Sequence, residues 1–173
     1  MPERMGNTVT RNALIFSLAL AGSAVSIAQS SSSSAVAPDT LITLQRGGCE
    51  RRCAVYRLVI FADGTVIYEG RYFVRQAGLI KSDISPDLLA RLINDIDTGG
   101  FFALSDNYGY AGTTHCDSIN SDVDGPTAIL SVSNQGRSKT VLHHHRCVGA
   151  AADQVTEFEN EVDRVVGSSK WIK

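Results

Sequence analysis

Near its carboxyl end the chain reads TVLHHHRCVGA, which sets His143, His144 and His145 just ahead of Cys147. On an extended strand side chains alternate, so His143, His145 and Cys147 share one face and His144 and Arg146 the other. Two imidazoles two residues apart can hold one cation, and a Cys147 thiolate would complete a ligand set of the kind zinc or copper accepts. If Cys147 is oxidised that ligand is lost, but a bridge to Cys116 would carry His115 toward His143 and His145. The same spacing serves imidazoles that are solvated or bonded to carboxylates, because Asp117, Asp122 and Asp124 crowd the neighbouring loop. Spacing without a third fixed ligand is a weak motif. The expectation is therefore no cofactor, with zinc or copper on His143, His145 and His115 as the alternative.

What the four cysteines do depends on compartment, which the amino terminus addresses. Arg4 and Arg11 precede the apolar run ALIFSLALAGSAV, and SIAQ supplies small residues, Ser26 and Ala28, at a cleavage site. Residues 1–28 thus read as a secretory signal peptide, since the apolar run falls short of the ~20 residues that span a bilayer. The mature chain is expected in the periplasm or secreted, with no transmembrane span and an envelope component or a protein as its partner. In that setting Cys49, Cys53, Cys116 and Cys147 suggest two disulfides, with three connectivities open. The preferred pairing is Cys49 with Cys53 and Cys116 with Cys147. Closing ~30 residues through the second contributes roughly 3 to 4 kcal/mol in the chain-entropy model, and the short loop less. Cys49 and Cys53 lack the two-residue spacing of thioredoxin-like redox pairs.

Other chemistry is sparse. Arg51 and Arg52 form a solvated loop tip that could hold a small anion, and Asp124, before Gly125-Pro126-Thr127, reads as a turn residue accepting backbone N–H groups. There is no Gly-x-Ser-x-Gly elbow, His-Glu-x-x-His helix, phosphate loop or dinucleotide fingerprint, which points away from catalysis. Removal of residues 1–28 takes Glu3, Arg4 and Arg11, leaving 14 basic against 17 acidic side chains and a net charge of −3. That balance leaves no footprint for a nucleic-acid partner.

The elements that must position these residues follow from periodicity. QSSSSSAVAP reads as a flexible linker over 29–40, and residues 41–173 suffice for one domain with its own core. LITLQR is a strand; AVYRLVIF and TVIYEGRYFV alternate about a two-residue Asp63-Gly64 turn, and AGLIKSDIS is the next strand. Tyr56, Tyr68 and Tyr72 read as packing residues of these strands. Ser85 and Pro86 open a helix whose Leu88, Leu89, Leu92, Ile93 and Ile96 share a face and which stops at Gly99-Gly100. PTAILSVSNQGRSKTVLHHH is a second hairpin, and Val155, Phe158, Val162, Val165 and Val166 mark a final helix ended by Gly167. The order β-β-β-β-α-β-β-α predicts an α+β fold, an antiparallel sheet with both helices on one face.

The segments ITLQRGGCERRCAVYRLVIFADGTVIYEGRYFV, DGPT, VLHHHRCVGA and VDRVVGSSKWI together resemble the bacterial family known as domain of unknown function 6438. That family's pattern carries a glycine and a proline at the first cysteine pair, where this chain has Arg51 and Ala54. The resemblance implies this fold and an exported setting, and it brings no activity with it.

Overall fold

The computed structural model describes residues 36–109, 115–121 and 125–173, which belong to a compact unit over 33–173. The expected signal peptide 1–28, the first part of the linker 29–40, and Asp124 lie outside the described residues.

The element order is β1 (Leu41–Arg46), β2 (Val55–Phe61), β3 (Thr65–Tyr72), β4 (Gly78–Asp83), α1 (Pro86–Thr98), a single 3-10 turn (Phe101–Ala103), β5 (Asn107–Tyr108), β6 (Ser118–Ile119), β7 (Thr127–Asn134), β8 (Arg137–His144), β9 (Cys147–Val148), α2 (Ala150–Val166) and α3 (Ser169–Ile172). Seven strands make an open sheet in the order β4-β3-β2-β1-β7-β8-β5, antiparallel except where β5 runs parallel to β8, and β6 pairs separately with β9. The α+β class with a mostly antiparallel sheet agrees with the sequence pattern. The short β5, β6, β9 and α3 were not legible, because two to four residues carry too little period to register.

Alternation decides which face is buried. Ile42 and Leu44, Leu58 and Ile60, Val66 and Tyr68, Leu130 and Val132 point inward, where Leu89, Leu92 and Ile96 of α1 and Val155, Phe158 and Val162 of α2 meet them. On the opposite face Thr43, Val59, Ile67 and Ser131 are half-buried, and Leu41, Arg57, Phe61 and Leu79 are exposed. Burial of these apolar side chains contributes roughly 1.5 to 3 kcal/mol each.

Local chemistry sets the boundaries. The Ser85 hydroxyl accepts from the Leu88 amide at 3.3 Å and Pro86 sits in the first turn of α1. The β7–β8 turn places Gln135 and Gly136 at φ 52° and 71°, as a two-residue hairpin with right-handed strand twist requires, and the Asp39 carboxylate accepts both of their amides. The β2–β3 connection differs from expectation: Phe61 and Thr65 bracket the three residues Ala62 to Gly64, and of these only Gly64 is left-handed, at φ 83°. Asp63 serves instead by accepting the Thr65 amide at 2.9 Å. A second difference concerns Tyr72, which is 66% exposed rather than packed, while Tyr68 is buried against Trp171 with ring centroids 4.7 Å apart.

Candidate functional site

The inward alternation of β1 does not stop at Leu44. Arg46, the last residue of the strand, points the same way, and its cross-strand partner on β2 is Tyr56. Both reach α2, where Glu159 and Asp163 stand one helical turn apart and project toward the sheet. From the other side of Glu159 come His143, near the end of β8, and His145, just beyond it.

The contacts join these residues into one network. Arg46 Nη1 donates to Glu159 Oε2 at 2.5 Å, while Nε and Nη2 donate to Asp163 Oδ2 at 3.2 and 2.9 Å and Nη2 also to Asn160 Oδ1 at 3.1 Å. The Tyr56 hydroxyl donates to Asp163 at 2.7 Å and that of Ser168 at 2.6 Å. His143 Nδ1 lies 2.9 Å from Glu159 Oε1 and His145 Nε2 2.9 Å from Oε2. Burial would raise the pKa of Glu159, but the hydrogen bonds from His143 and His145 and the charge of Arg46 outweigh it and hold the carboxyl down to about 2. An ionised carboxylate only accepts, so the His143 ring nitrogen that faces it, Nδ1, is a donor, while His145 Nε2 lies both against Glu159 Oε2 and 3.2 Å from Arg46 Nη1. Burial together with the Asp163 charge pushes the Tyr56 phenol well above its ordinary range, fixing it as a donor. For Arg46, burial would lower the pKa, and the charges of Asp163 and Glu159 reverse that and keep the guanidinium charged.

One atom stands outside this scheme. His143 Nε2 is buried and has no hydrogen-bond partner. The ring meets Tyr108 edge to face, with centroids 6.3 Å apart, and also lies 4.4 Å from the His145 ring.

Above the network lies an open cleft of about 670 Å³, whose wall includes Arg46, Tyr56, Asp163, Ser168, Ala54, Pro126 and Ile172. The Cys49–Cys53 disulfide closes the loop that leaves β1 after Arg46 and returns before Tyr56, and Cys53 itself lines the cleft. It thereby ties together the two strand ends that grip Asp163. Gly47 lets this loop leave the sheet: its amide bonds Thr127 O at 2.7 Å, and a Cβ there would meet the Thr127 hydroxyl oxygen at 2.0 Å. The second disulfide, Cys116–Cys147, pins the segment of β6 to β9, directly after the histidines.

Residues 40–166 match the family described as a domain of unknown function (DUF6438). The chain belongs to DUF6438. None of the curated proteins compared with it matches.

Within this DUF6438 domain the residues singled out by sequence are partly gathered. His143 and His145 converge, with Glu159 as the third member of a group whose ligand atoms lie within 4.8 Å of one another. His115 is not in that group; it is exposed and lies against Tyr108 at 6.0 Å. Arg51 and Arg52 are exposed at the loop tip, and the Arg52 guanidinium lies 6.0 Å from the Phe73 ring. Sequence reasoning missed Arg46, Glu159, Asp163 and the hydroxyl role of Tyr56. A signal existed for two of them. Arg46 continues the Ile42, Leu44 alternation, and Glu159 falls between Val155 and Val162 on the apolar stripe of α2.

Proposed function

We propose that this protein is an exported, disulfide-stapled, non-catalytic binding module whose ligand seat is the cleft over Arg46, Tyr56 and Asp163, working in or near the cell envelope. The observation that carries the reading is the burial of a charged network at the wall of that cleft. Apolar residues of similar volume commonly stabilise a fold as well as a buried ion pair does or better, so such a network is poorly explained by stability alone. Its members are preorganised rather than reactive. Asp163 is saturated by Arg46, Tyr56 and Ser168, the Tyr56 phenol is held as a donor, and Glu159 is held ionised out of contact with solvent. Such a wall recognises; a hydrolase would need a nucleophile beside an oriented base.

The test is binding of the dye anilinonaphthalene sulfonate to residues 33–173. Saturable enhancement that is abolished by Ala54→Phe, which fills the cleft, supports the reading. Binding that ignores this substitution, or no binding, overturns the cleft as the seat. Export is tested by the intact mass of the chain recovered from the periplasm, which should lack residues 1–28 and retain both disulfides.

A second reading, a zinc or copper site, is favoured by the convergence of His143, His145 and Glu159 and by the unpartnered Nε2 of His143. It is opposed by Arg46, which already supplies Glu159 with a cation at 2.5 Å and would face the metal. Native mass spectrometry after zinc or copper addition decides it: a stoichiometric ion lost in His145→Ala would promote this reading above the first.

A further inference from the structure

The three most exposed large apolar side chains among the described residues lie at one corner of the sheet. They are Tyr72 at 66%, Phe73 at 57% and Leu79 at 75% exposure. Two irregularities of the backbone present them. Tyr56 faces Gly70 across the β2–β3 pair, but Val55 faces Tyr72, so Arg71 is an extra residue in the ladder. Tyr56 points inward and Val55 outward, so this bulge turns Tyr72 out of the row begun by Val66 and Tyr68 and onto the open face. Re-aiming a side chain in this way is a known use of bulges. Leu79, opposite Glu69 on the edge strand β4, shares that face. Phe73 then follows at φ 53°, a conformation that is unfavourable for a bulky residue and recurs where function demands it.

The charge around these side chains is as uneven as their exposure. The segments 50–52 and 69–75 carry Arg51, Arg52, Arg71 and Arg75 against Glu50 and Glu69, although the whole chain has a net charge of −2, while Lys81 acts on the Asp63 carboxylate. Arg71 is paired with Glu69 at 3.0 Å, Arg52 lies over the Phe73 ring, and Arg52 and Arg75 are exposed. Aromatic and aliphatic tips ringed by arginines, and set on an edge rather than in the cleft, match the interface of an anionic bilayer. There the rings sit at headgroup level and each nearby cation adds attraction to acidic lipids.

We infer that Tyr72, Phe73 and Leu79, flanked by Arg51, Arg52 and Arg75, form a docking surface for an anionic phospholipid bilayer. This deepens the envelope part of the function proposed above and is independent of the cleft. An acidic protein would answer to the same charges, and the vesicle experiment separates it from a lipid surface.

The experiment is co-sedimentation of residues 33–173, a unit free of the apolar leader, with vesicles of phosphatidylcholine alone and of phosphatidylcholine mixed with phosphatidylglycerol. The expected result is binding to the mixed vesicles only, weakened by added salt. Arg52→Ala with Arg75→Ala, and separately Tyr72→Ser with Phe73→Ser, should each weaken it by about tenfold or more. Phe73→Gly should weaken vesicle binding while raising the melting temperature, because glycine accepts the left-handed backbone; that pairing separates loss of the docking side chain from loss of the fold. Equal binding to both vesicle types, no sedimentation with either, or a surface-dependent dimer in sedimentation velocity that Tyr72→Ser abolishes would overturn the lipid assignment. Ala54→Phe should leave vesicle binding intact, so this result and the dye result fail or succeed separately.

Discussion

Replacing Glu159 by glutamine tests the central network at its most constrained atom. Glutamine keeps an oxygen for His143 Nδ1 but sets an amide NH₂ where Oε2 now accepts from Arg46 and His145. A carboxyl whose pKa falls from an ordinary 4.5 to about 2 on folding contributes on the order of 3 kcal/mol at neutral pH, since one pKa unit corresponds to ~1.4 kcal/mol. Breaking a buried ion pair from one side gives a similar figure, roughly 3 to 5 kcal/mol. With a urea slope of about 2 kcal/mol/M, the unfolding midpoint of Glu159→Gln should fall by roughly 1.5 M.

The pH dependence gives this prediction its sign. Because the folded pKa of Glu159 is depressed, its stabilisation is fully present above about 4.5 and is lost as pH falls toward about 2. Through that window the unfolded chain binds the proton that the folded one refuses. The variant has no carboxyl at position 159, so its stability should decline less over the same range and the two curves should converge in acid. Urea titrations of both proteins, disulfides intact, at a series of pH values would show this. Parallel curves, or equal midpoints at neutral pH, would refute the assignment of Glu159 as an ionised, triply bonded acceptor.

Two further outcomes follow from the same geometry. Tyr56→Phe removes a hydrogen bond to the charged Asp163 at 2.7 Å and should cost about 1.5 to 3 kcal/mol in urea unfolding, while also weakening dye binding in the cleft it lines. Replacing Cys116 and Cys147 by serine, which opens a sequence separation of 31, should cost about 4 kcal/mol in the chain-entropy model; the Cys49 and Cys53 pair, with a separation of 4, should cost about 2 and act mainly on the cleft. Equal losses for the two pairs in urea unfolding would contradict that division.

The sheet and helices were legible because their signals are local and repeated. Val66, Tyr68 and Gly70 alternate over a whole strand, and Leu89, Leu92 and Ile96 recur over a whole helix, so single exceptions do not erase the pattern. The cysteine pairing was legible only as a preference among three connectivities, and the structure has the preferred one. Tyr72 was read only as core or edge packing, and its outward turn was not legible because a one-residue bulge at Arg71 reverses the order of faces after it. The conformation of Phe73 has no sequence signal at all, since left-handed backbone is the habit of glycine and asparagine.

The network was missed for a reason that is itself physical. Periodicity treats one charged residue on an apolar stripe as noise, yet burying a carboxylate without a partner is among the most expensive things a fold can do. Glu159 on the stripe of α2 therefore implies that donors must reach it from the facing sheet, and only inward positions at strand ends can do so without displacing core side chains. Arg46 and His143 occupy such positions, and His145 follows just past the end of β8, at sequence separations of 113, 16 and 14 residues from Glu159. No local window spans the first of these, but the inference does not need one: an inward arginine ending a strand and a buried glutamate within an apolar stripe each require the other. The three histidines drew attention as chemistry, whereas the single misplaced carboxylate was the stronger clue to where that chemistry is organised.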